Sequence, residues 1–200
     1  MTGIQALERK HPTLPMRPGQ GERREFEYLR HGPQSLIANF EVATGQVIAP
    51  SIGPTRTEVD FATHSQRTLA TDPEAEWVLL VDPLTSPQSE ALVRLVAEQC
   101  QREIDLGEKG VRGILQTRAT RATFLQEESH RIRFLYTPKQ SSWLNQIEIW
   151  FSILVRRLLK RGSFASVEEL RERILAFIDY FNRTMAKPFR WTSTGRPLAV

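Results

Sequence analysis

Residues 136–160 form the most distinctive stretch of the sequence and read Tyr136-Thr-Pro-Lys-Gln-Ser-Ser-Trp-Leu-Asn-Gln-Ile-Glu-Ile-Trp-Phe-Ser-Ile-Leu-Val-Arg-Arg-Leu-Leu-Lys160. A strand-like run, Ile132 to Tyr136, stops at Pro138, and two serines then stand where a helix N-cap is expected. The helix is predicted to begin near Trp143. Apolar residues occupy nearly every direction around its axis, which predicts a helix that is buried on most sides.

Glu148 lies within the apolar belt of this predicted helix. The positions three and four residues away hold Leu144, Asn145, Phe151 and Ser152, so no basic residue can pair with it inside the helix. A buried carboxylate without a partner is costly, and we therefore expect a tertiary partner, a metal ion or a proton. The alternative is that Glu148 faces solvent or meets an arginine from elsewhere in the chain.

The residues around Glu148 form a long motif, Trp143-Leu-Asn-Gln-Ile-Glu-Ile-Trp-Phe, with Tyr-Thr-Pro before it and Arg-Arg-Leu-Leu-Lys-Arg-Gly-Ser-Phe-Ala-Ser-Val-Glu-Glu-Leu after it. This motif resembles the last acidic motif of IS630-type transposases in the Tc1/mariner superfamily. The resemblance continues through residues 177–191 and, less tightly, back to the start of the chain. In that family the glutamate is the third carboxylate of a DDE metal site, so the resemblance implies a catalytic and metal-binding role for Glu148.

The resemblance also implies a fold and a reaction. The expected fold class is α/β, an RNase H-like mixed sheet flanked by helices. The expected reaction is DNA transposition, in which an endonuclease and polynucleotidyl transferase cleaves DNA and joins strands. It depends on Mg²⁺ or Mn²⁺, with two ions in the intact family site, and carboxylate oxygens suit these hard cations.

The start of the sequence departs from the family pattern. Relatives carry the first acid in an Asp-Glu pair at the end of their first strand, directly before a segment like Met1 to Arg9. We therefore expect a domain that is incomplete at its N-terminus and lacks the first central strand, the first catalytic aspartate and the preceding helix-turn-helix region. Such a copy is expected to be catalytically impaired. The alternatives are a non-catalytic remnant that binds DNA or an intact transposase, and a nuclease with Glu41 as a replacement acid.

Asp82 follows Trp77–Val81, a continuously apolar run that predicts a central strand covered on both faces. Ligands of open α/β sheets bind beyond the strand carboxyl ends, so an acid there is placed for chemistry. An ordinary turn with a helix-capping aspartate is the alternative. By resemblance Asp82 is a second catalytic and metal-binding acid, but Thr85 and Pro87 stand where relatives carry asparagine and histidine. Such losses around a ligand weaken metal sites by about an order of magnitude or more.

Other segments give a coarse outline of the domain. An antiparallel hairpin is predicted over residues 35–41 and 46–52. Helices are predicted over 57–69, 89–101 and 167–184, the last opened by a capping box of Ser166 and Glu169. Residues 8–33 are expected to form an extended loop. We expect one domain over residues 1–200, with an insertion at 102–126 and a C-terminal tail at 185–200.

Basic residues predict how DNA is held. They occur in the loop-rich segment near the N-terminus and after Glu148 on the same helix, where they can meet phosphates. A solvated loop and a helix end that complements its macrodipole are the alternatives. The residues expected to contact DNA are Arg23, Arg24, Lys139, Arg156, Arg157, Lys160 and Arg161.

The composition sets limits on the class of protein. The chain has 200 residues, a formal net charge of +4 and one cysteine, which favours a polyanionic partner and excludes an internal disulfide. No signal peptide or membrane-spanning run is visible, so we expect a soluble, cytoplasmic, nucleoid-associated protein with no membrane partner. Dimerisation with itself or with an intact transposase is a further expectation.

Overall fold

The computed structural model describes residues 2–12, 14–23, 26–82, 86–138 and 145–190. These residues form a mixed α/β structure, as predicted, with strands hydrogen-bonded as two sheets. The antiparallel sheet contains β1 (Thr2–Arg9), β2 (Tyr28–Glu41) and β3 (Gln46–Gly53), and the parallel sheet contains β4 (Trp77–Val81) and β5 (Ile132–Tyr136). The helices are α1 (Glu58–Leu69), α2 (Glu90–Gln99), α3 (Arg118–Gln126), α4 (Ile147–Leu154) and α5 (Val167–Thr184).

The predicted hairpin is confirmed as β2 and β3. Gly45 ends its turn with φ +75°, a backbone conformation that residues with a Cβ rarely adopt. The side chain of Asn182 then pins the hairpin to α5, because its Oδ1 accepts from the Val47 N–H and its Nδ2 donates to the Val47 carbonyl, both at 2.9 Å. The turn and one helix residue therefore fix where the hairpin lies.

Side-chain caps start the helices that the sequence predicts. Thr57 and Asp60 form a reciprocal capping box at α1, and the Ser89 hydroxyl accepts from the Leu92 N–H at α2. At α5 the Ser166 hydroxyl accepts from the Glu169 N–H, as predicted. The predicted capping box is only half present there, because the Glu169 carboxylate accepts from the N–H of Ala165 instead of that of Ser166.

Two hydrophobic clusters hold the structure together. One lies between the antiparallel sheet and α4 and α5, with Trp150 and Leu36 among its buried residues. The other lies between the parallel sheet and α1, α2 and α3, with Phe134 and Leu92 at its centre. None of the described helices combines the length and the apolar character needed to cross a membrane.

Three sequence predictions about burial and boundaries are corrected, and a fourth is not tested. β4 is not covered on both faces, since Val78 is 51% exposed and Leu80 is 43% exposed. The helix after residue 144 is not buried on most sides, because Ile149 is 49% exposed. The loop predicted over residues 8–33 is wrong at both ends, where β1 and β2 pair through Arg9 and Tyr28. The predicted helix start near Trp143 lies outside the described residues.

Residues 102–126 end in a helix that the sequence interpretation did not include. Thr117 caps α3, and Phe124 and Leu125 pack into the second cluster. Leu115, ahead of the helix, is fully buried as well. Whether the segment is an insertion relative to its family stays a prediction, but its last nine residues form a helix that packs against the second cluster on one side.

Candidate functional site

Asp82 follows β4 directly and is half-buried. The parallel register places Val81 opposite Tyr136. Asp82 and Thr137, which directly follow these two residues, are therefore neighbours. Thr137 donates its N–H to the Val81 carbonyl at 3.0 Å and its hydroxyl to Asp82 Oδ1 at 3.2 Å. The carboxylate is therefore held from the neighbouring strand.

The segment after Asp82 is anchored by residues from β5 and α3. The Tyr136 hydroxyl donates to the Pro87 carbonyl at 2.7 Å, and burial raises the pKa of Tyr136. Arg121 is buried and donates from Nε to the Gln88 carbonyl at 2.7 Å. Pro87 is buried, and its side chain carries no hydrogen-bonding group, so it makes no polar side-chain contact with Asp82.

Asp82 lines a cavity of about 370 Å³ between the two sheets. One wall is the edge of β2, residues 37–41, and the opposite wall is β4 with Glu76 and Asp82. Residues 145–147, at the start of α4, close one end. The structure thus brings Asp82 and the beginning of the Glu148-bearing helix to the same cavity.

Glu148 itself lies on the first turn of α4 and is exposed. The prediction that it sits in a buried belt is wrong, because only one face of α4 packs against the core, through Ile147, Trp150, Phe151 and Leu154. Within the described residues Glu148 forms no ion pair, so the solvent-facing alternative is the correct one. It follows directly after Ile147, the first residue of α4, which lines the cavity.

The carboxylates of Asp82 and Glu148 are the next feature of the site. Oxygen donors such as Asp82 and Glu148 suit Mg²⁺ or Mn²⁺, and both are accessible to solvent. Across the part of the chain that the structure describes, no group of three or more acidic, histidine or cysteine side chains could hold a metal. Glu41, considered as a replacement acid, does line the cavity and accepts a hydrogen bond from the Thr44 hydroxyl.

The basic residues after Glu148 form a second feature. Arg156, Arg157 and Arg161 line an open cavity of about 640 Å³ together with Ile153 and Met185. We call it the arginine cavity. A π-helical turn, Val155–Leu159, lies at this point, closed by a bond of 2.8 Å from the Lys160 N–H to the Val155 carbonyl. Such turns are rare and often mark functional sites.

The arginine cavity carries uncompensated charge. All three arginines are exposed, and none of them forms an ion pair with a carboxylate in the described residues. Arg156 donates to the Ser152 carbonyl at 3.2 Å, which fixes its stem along the helix. An open, positively charged cavity of this kind suits phosphate groups.

The other basic residues predicted to bind DNA are separate. Lys160 lines a different, mostly apolar cavity beside β1, so the structure does not group it with the three arginines. Arg23 is exposed and forms an isolated antiparallel bridge with Leu14, with which it exchanges backbone hydrogen bonds. Arg24 and Lys139 lie outside the described residues.

Thr137 is the site residue that sequence reasoning missed. The available signal was the position of Tyr136-Thr-Pro138 directly after a strand, since a second parallel strand ending beside Asp82 brings its next residue to that acid.

Comparison with known proteins gives one match. The family model described as DDE superfamily endonuclease matches residues 2–171. Neither a curated protein nor a solved structure matches the chain.

Proposed function

Because the chain belongs to the DDE superfamily endonucleases, we propose that it is an RNase H-like catalytic domain of an IS630-type transposase in the Tc1/mariner superfamily. The observation that carries the proposal is the position of Asp82, held at the end of β4 in a cavity wall shared with the start of α4. The sequence motif around Glu148 supports the finer family assignment. Its reaction is cleavage and joining of DNA strands.

Asp82 and Glu148 are the residues that hold the divalent cations in this proposal. When bound, two such ions activate the attacking oxygen and stabilise the leaving oxygen of a phosphodiester. The chain supplies hard oxygen ligands, and Thr137 and the backbone of β5 orient one of them. Two family carboxylates are fewer than the three that the DDE motif requires, so we propose that residues 1–200 alone cleave DNA poorly or not at all.

Metal-dependent nicking of supercoiled DNA tests this part. Purified residues 1–200 should give no nicking above background with Mn²⁺, while Mn²⁺ should still bind and Asp82→Asn should weaken that binding. If the wild type nicks DNA and this activity disappears in both Asp82→Asn and Glu148→Gln, the chain is a competent nuclease and the proposed catalytic impairment is wrong. If such nicking is lost in Glu41→Gln as well, Glu41 is the replacement acid.

DNA binding is proposed at the arginine cavity. Each DNA phosphate that an arginine neutralises releases a counterion. The slope of log affinity against log salt concentration is therefore proportional to the number of phosphate contacts. Replacing Arg157 and Arg161 together by glutamine should therefore lower the slope of log affinity against log salt by about 2. The control removes the same charge from Arg94 and Arg183, each of which is ion-paired with an acid on its own helix.

The two double variants distinguish a local contact from the effect of net charge. An unchanged salt slope in the Arg157 and Arg161 variant, or an equal fall in both variants, would remove the arginine cavity from the DNA interface. The family assignment would not depend on that result.

A second candidate function is a non-catalytic role in which the chain pairs with an intact transposase or with itself. One observation favours it. Within the described residues, Ile37–Glu41 of β2 pair only with β3, and β4 pairs only with β5, so two unpaired strand edges face each other across the cavity. Val78 and Leu80 also leave apolar surface exposed there. Unpaired edges with exposed apolar side chains are sites of strand addition.

Mixing the chain with an active relative tests this second candidate. Dose-dependent inhibition of transposition that is lost in Val78→Asp supports it, because the charged side chain would oppose strand addition at the edge. Val59→Asp is the matched control, since Val59 is 66% exposed on α1, away from the cavity wall. Unchanged transposition at every ratio would exclude a role in pairing with the transposase.

A further inference from the structure

We propose that Thr137 is a positioning residue for Asp82, an inference that rests on the proposed metal-dependent function. Its hydroxyl donates to Asp82 Oδ1 at 3.2 Å. Asp82 Oδ2 has no hydrogen-bond donor among the described residues, so this oxygen is left to bind a cation. In this proposal Oδ1 of Asp82 accepts the hydrogen bond from Thr137, and Oδ2 binds the cation.

The backbone around Thr137 fixes the direction of this hydroxyl. Its N–H donates to the Val81 carbonyl at 3.0 Å, which extends the β4–β5 pairing by one residue beyond Tyr136. Pro138 follows, and a residue before proline is restricted to extended backbone. The two constraints keep Thr137 in line with β5, beside the end of β4.

The side chain is also restricted. Thr137 is only 4% exposed, and a β-branched side chain has few allowed rotamers. A buried hydroxyl needs a hydrogen-bond partner, and Asp82 is the carboxylate that provides one. A hydrogen bond to an ionised carboxylate is stronger than one between neutral groups, so the pair stabilises a single orientation of Asp82.

The expected effect is on metal affinity more than on folding. Groups that orient a metal ligand typically change affinity by about 10-fold to 100-fold when they are removed. Because Thr137 contacts one carboxylate of a partial site, we expect the lower end, about 10-fold. Valine has nearly the shape of threonine and lacks only the hydroxyl, so Thr137→Val tests the hydrogen bond itself.

The experiment measures Mn²⁺ binding to residues 1–200 by water-proton relaxation enhancement. Asp82→Asn identifies the signal that belongs to the site. Thr137→Val should bind Mn²⁺ about 10-fold more weakly than the wild type. Thr137→Ser, which keeps a hydroxyl, should bind Mn²⁺ with an affinity within about twofold of that of the wild type. Thr123→Val is the matched control, since the Thr123 hydroxyl donates to a backbone carbonyl on the exposed side of α3.

Each outcome supports or overturns a stated claim. If Asp82→Asn weakens Mn²⁺ binding but Thr137→Val does not, Thr137 has no positioning role while the proposed function stands. If Asp82→Asn has no effect, the metal site at Asp82, and with it the proposed function, is wrong. If circular dichroism shows that Thr137→Val does not fold, Thr137→Ser provides the test, because it folds and keeps the hydroxyl. Mn²⁺ affinity as weak as that of Asp82→Asn in Thr137→Ser would overturn the proposal.

Discussion

Acid is expected to destabilise the contact between the hairpin and α1, because the imidazole of His64 is buried at its centre. His64 is 2% exposed, with Nε2 at 2.9 Å from Asn39 Nδ2 and Nδ1 at 3.0 Å from Ser51 Oγ. The Asn39 amide donates to Nε2, so the neutral ring carries its proton on Nδ1 and donates it to Ser51. Burial, with a smaller contribution from positive charges that include Arg67, lowers the pKa of His64 from 6.5 to about 4.

The sign of the effect follows from which state binds the proton. Below its ordinary pKa of 6.5 the unfolded chain takes up a proton on His64, whereas the native chain does so only below about 4. Stability is therefore fully present above pH 6.5 and falls as the pH decreases towards about 4. The complete loss amounts to about 3 kcal/mol, of which about 2 kcal/mol appears between about pH 7 and about pH 5.

Urea denaturation at about pH 7 and about pH 5 measures this loss for the wild type and for His64→Gln. Glutamine offers one acceptor and one donor but does not titrate, so the variant should lose about 2 kcal/mol less than the wild type over this range. His11→Gln, at an exposed position, should behave as the wild type does. Equal losses in the wild type and His64→Gln would refute the account of His64.

Two further predictions concern stability. Gly45→Ala should lose about 2 kcal/mol or more in urea denaturation, because φ is +75° and a Cβ would overlap the Lys187 carbonyl, whereas Gly53→Ala has open space and should be neutral or slightly stabilising. Phe134→Ala should lose about 3 to 5 kcal/mol by the same assay, because the side chain is fully buried, while Leu135→Ala on the same strand, 40% exposed, should lose about 1 kcal/mol or less. Equal losses within either pair would contradict the burial and backbone arguments.

Several elements could be predicted because their signals are local. The polar residue before an amphipathic run located the starts of α1, α2 and α5, where Thr57, Ser89 and Ser166 cap the helix. The glycine-ended turn likewise located the hairpin. Such signals depend on residues a few positions apart, which is why the sequence carries them.

Burial was harder to predict because it depends on which other elements are nearby. The apolar run of β4 has the composition of a strand covered on both faces, yet only the face that carries Trp77, Leu79 and Val81 packs against the second cluster, and Val78 and Leu80 on the other face are exposed. β1 was not predicted, since its buried residues, Ile4 and Ala6, alternate with a polar neighbour for only three residues before Leu7 interrupts the pattern. Composition alone does not tell how many neighbours a strand has.

The site shows the same division between local and tertiary information. The resemblance identified Asp82 and Glu148 as chemical groups, but the argument that Glu148 is buried failed because it used the helical period without the packing of α4. What orients Asp82 is the parallel pairing of β4 with β5, which are separated by residues 82–131. Since that pairing places a threonine hydroxyl beside the acid, Asp82 can be held in one orientation whether or not further carboxylates reach the cavity. Under the proposed function, metal binding at Asp82 and DNA cleavage are therefore separable, and the two need to be measured independently in the same polypeptide.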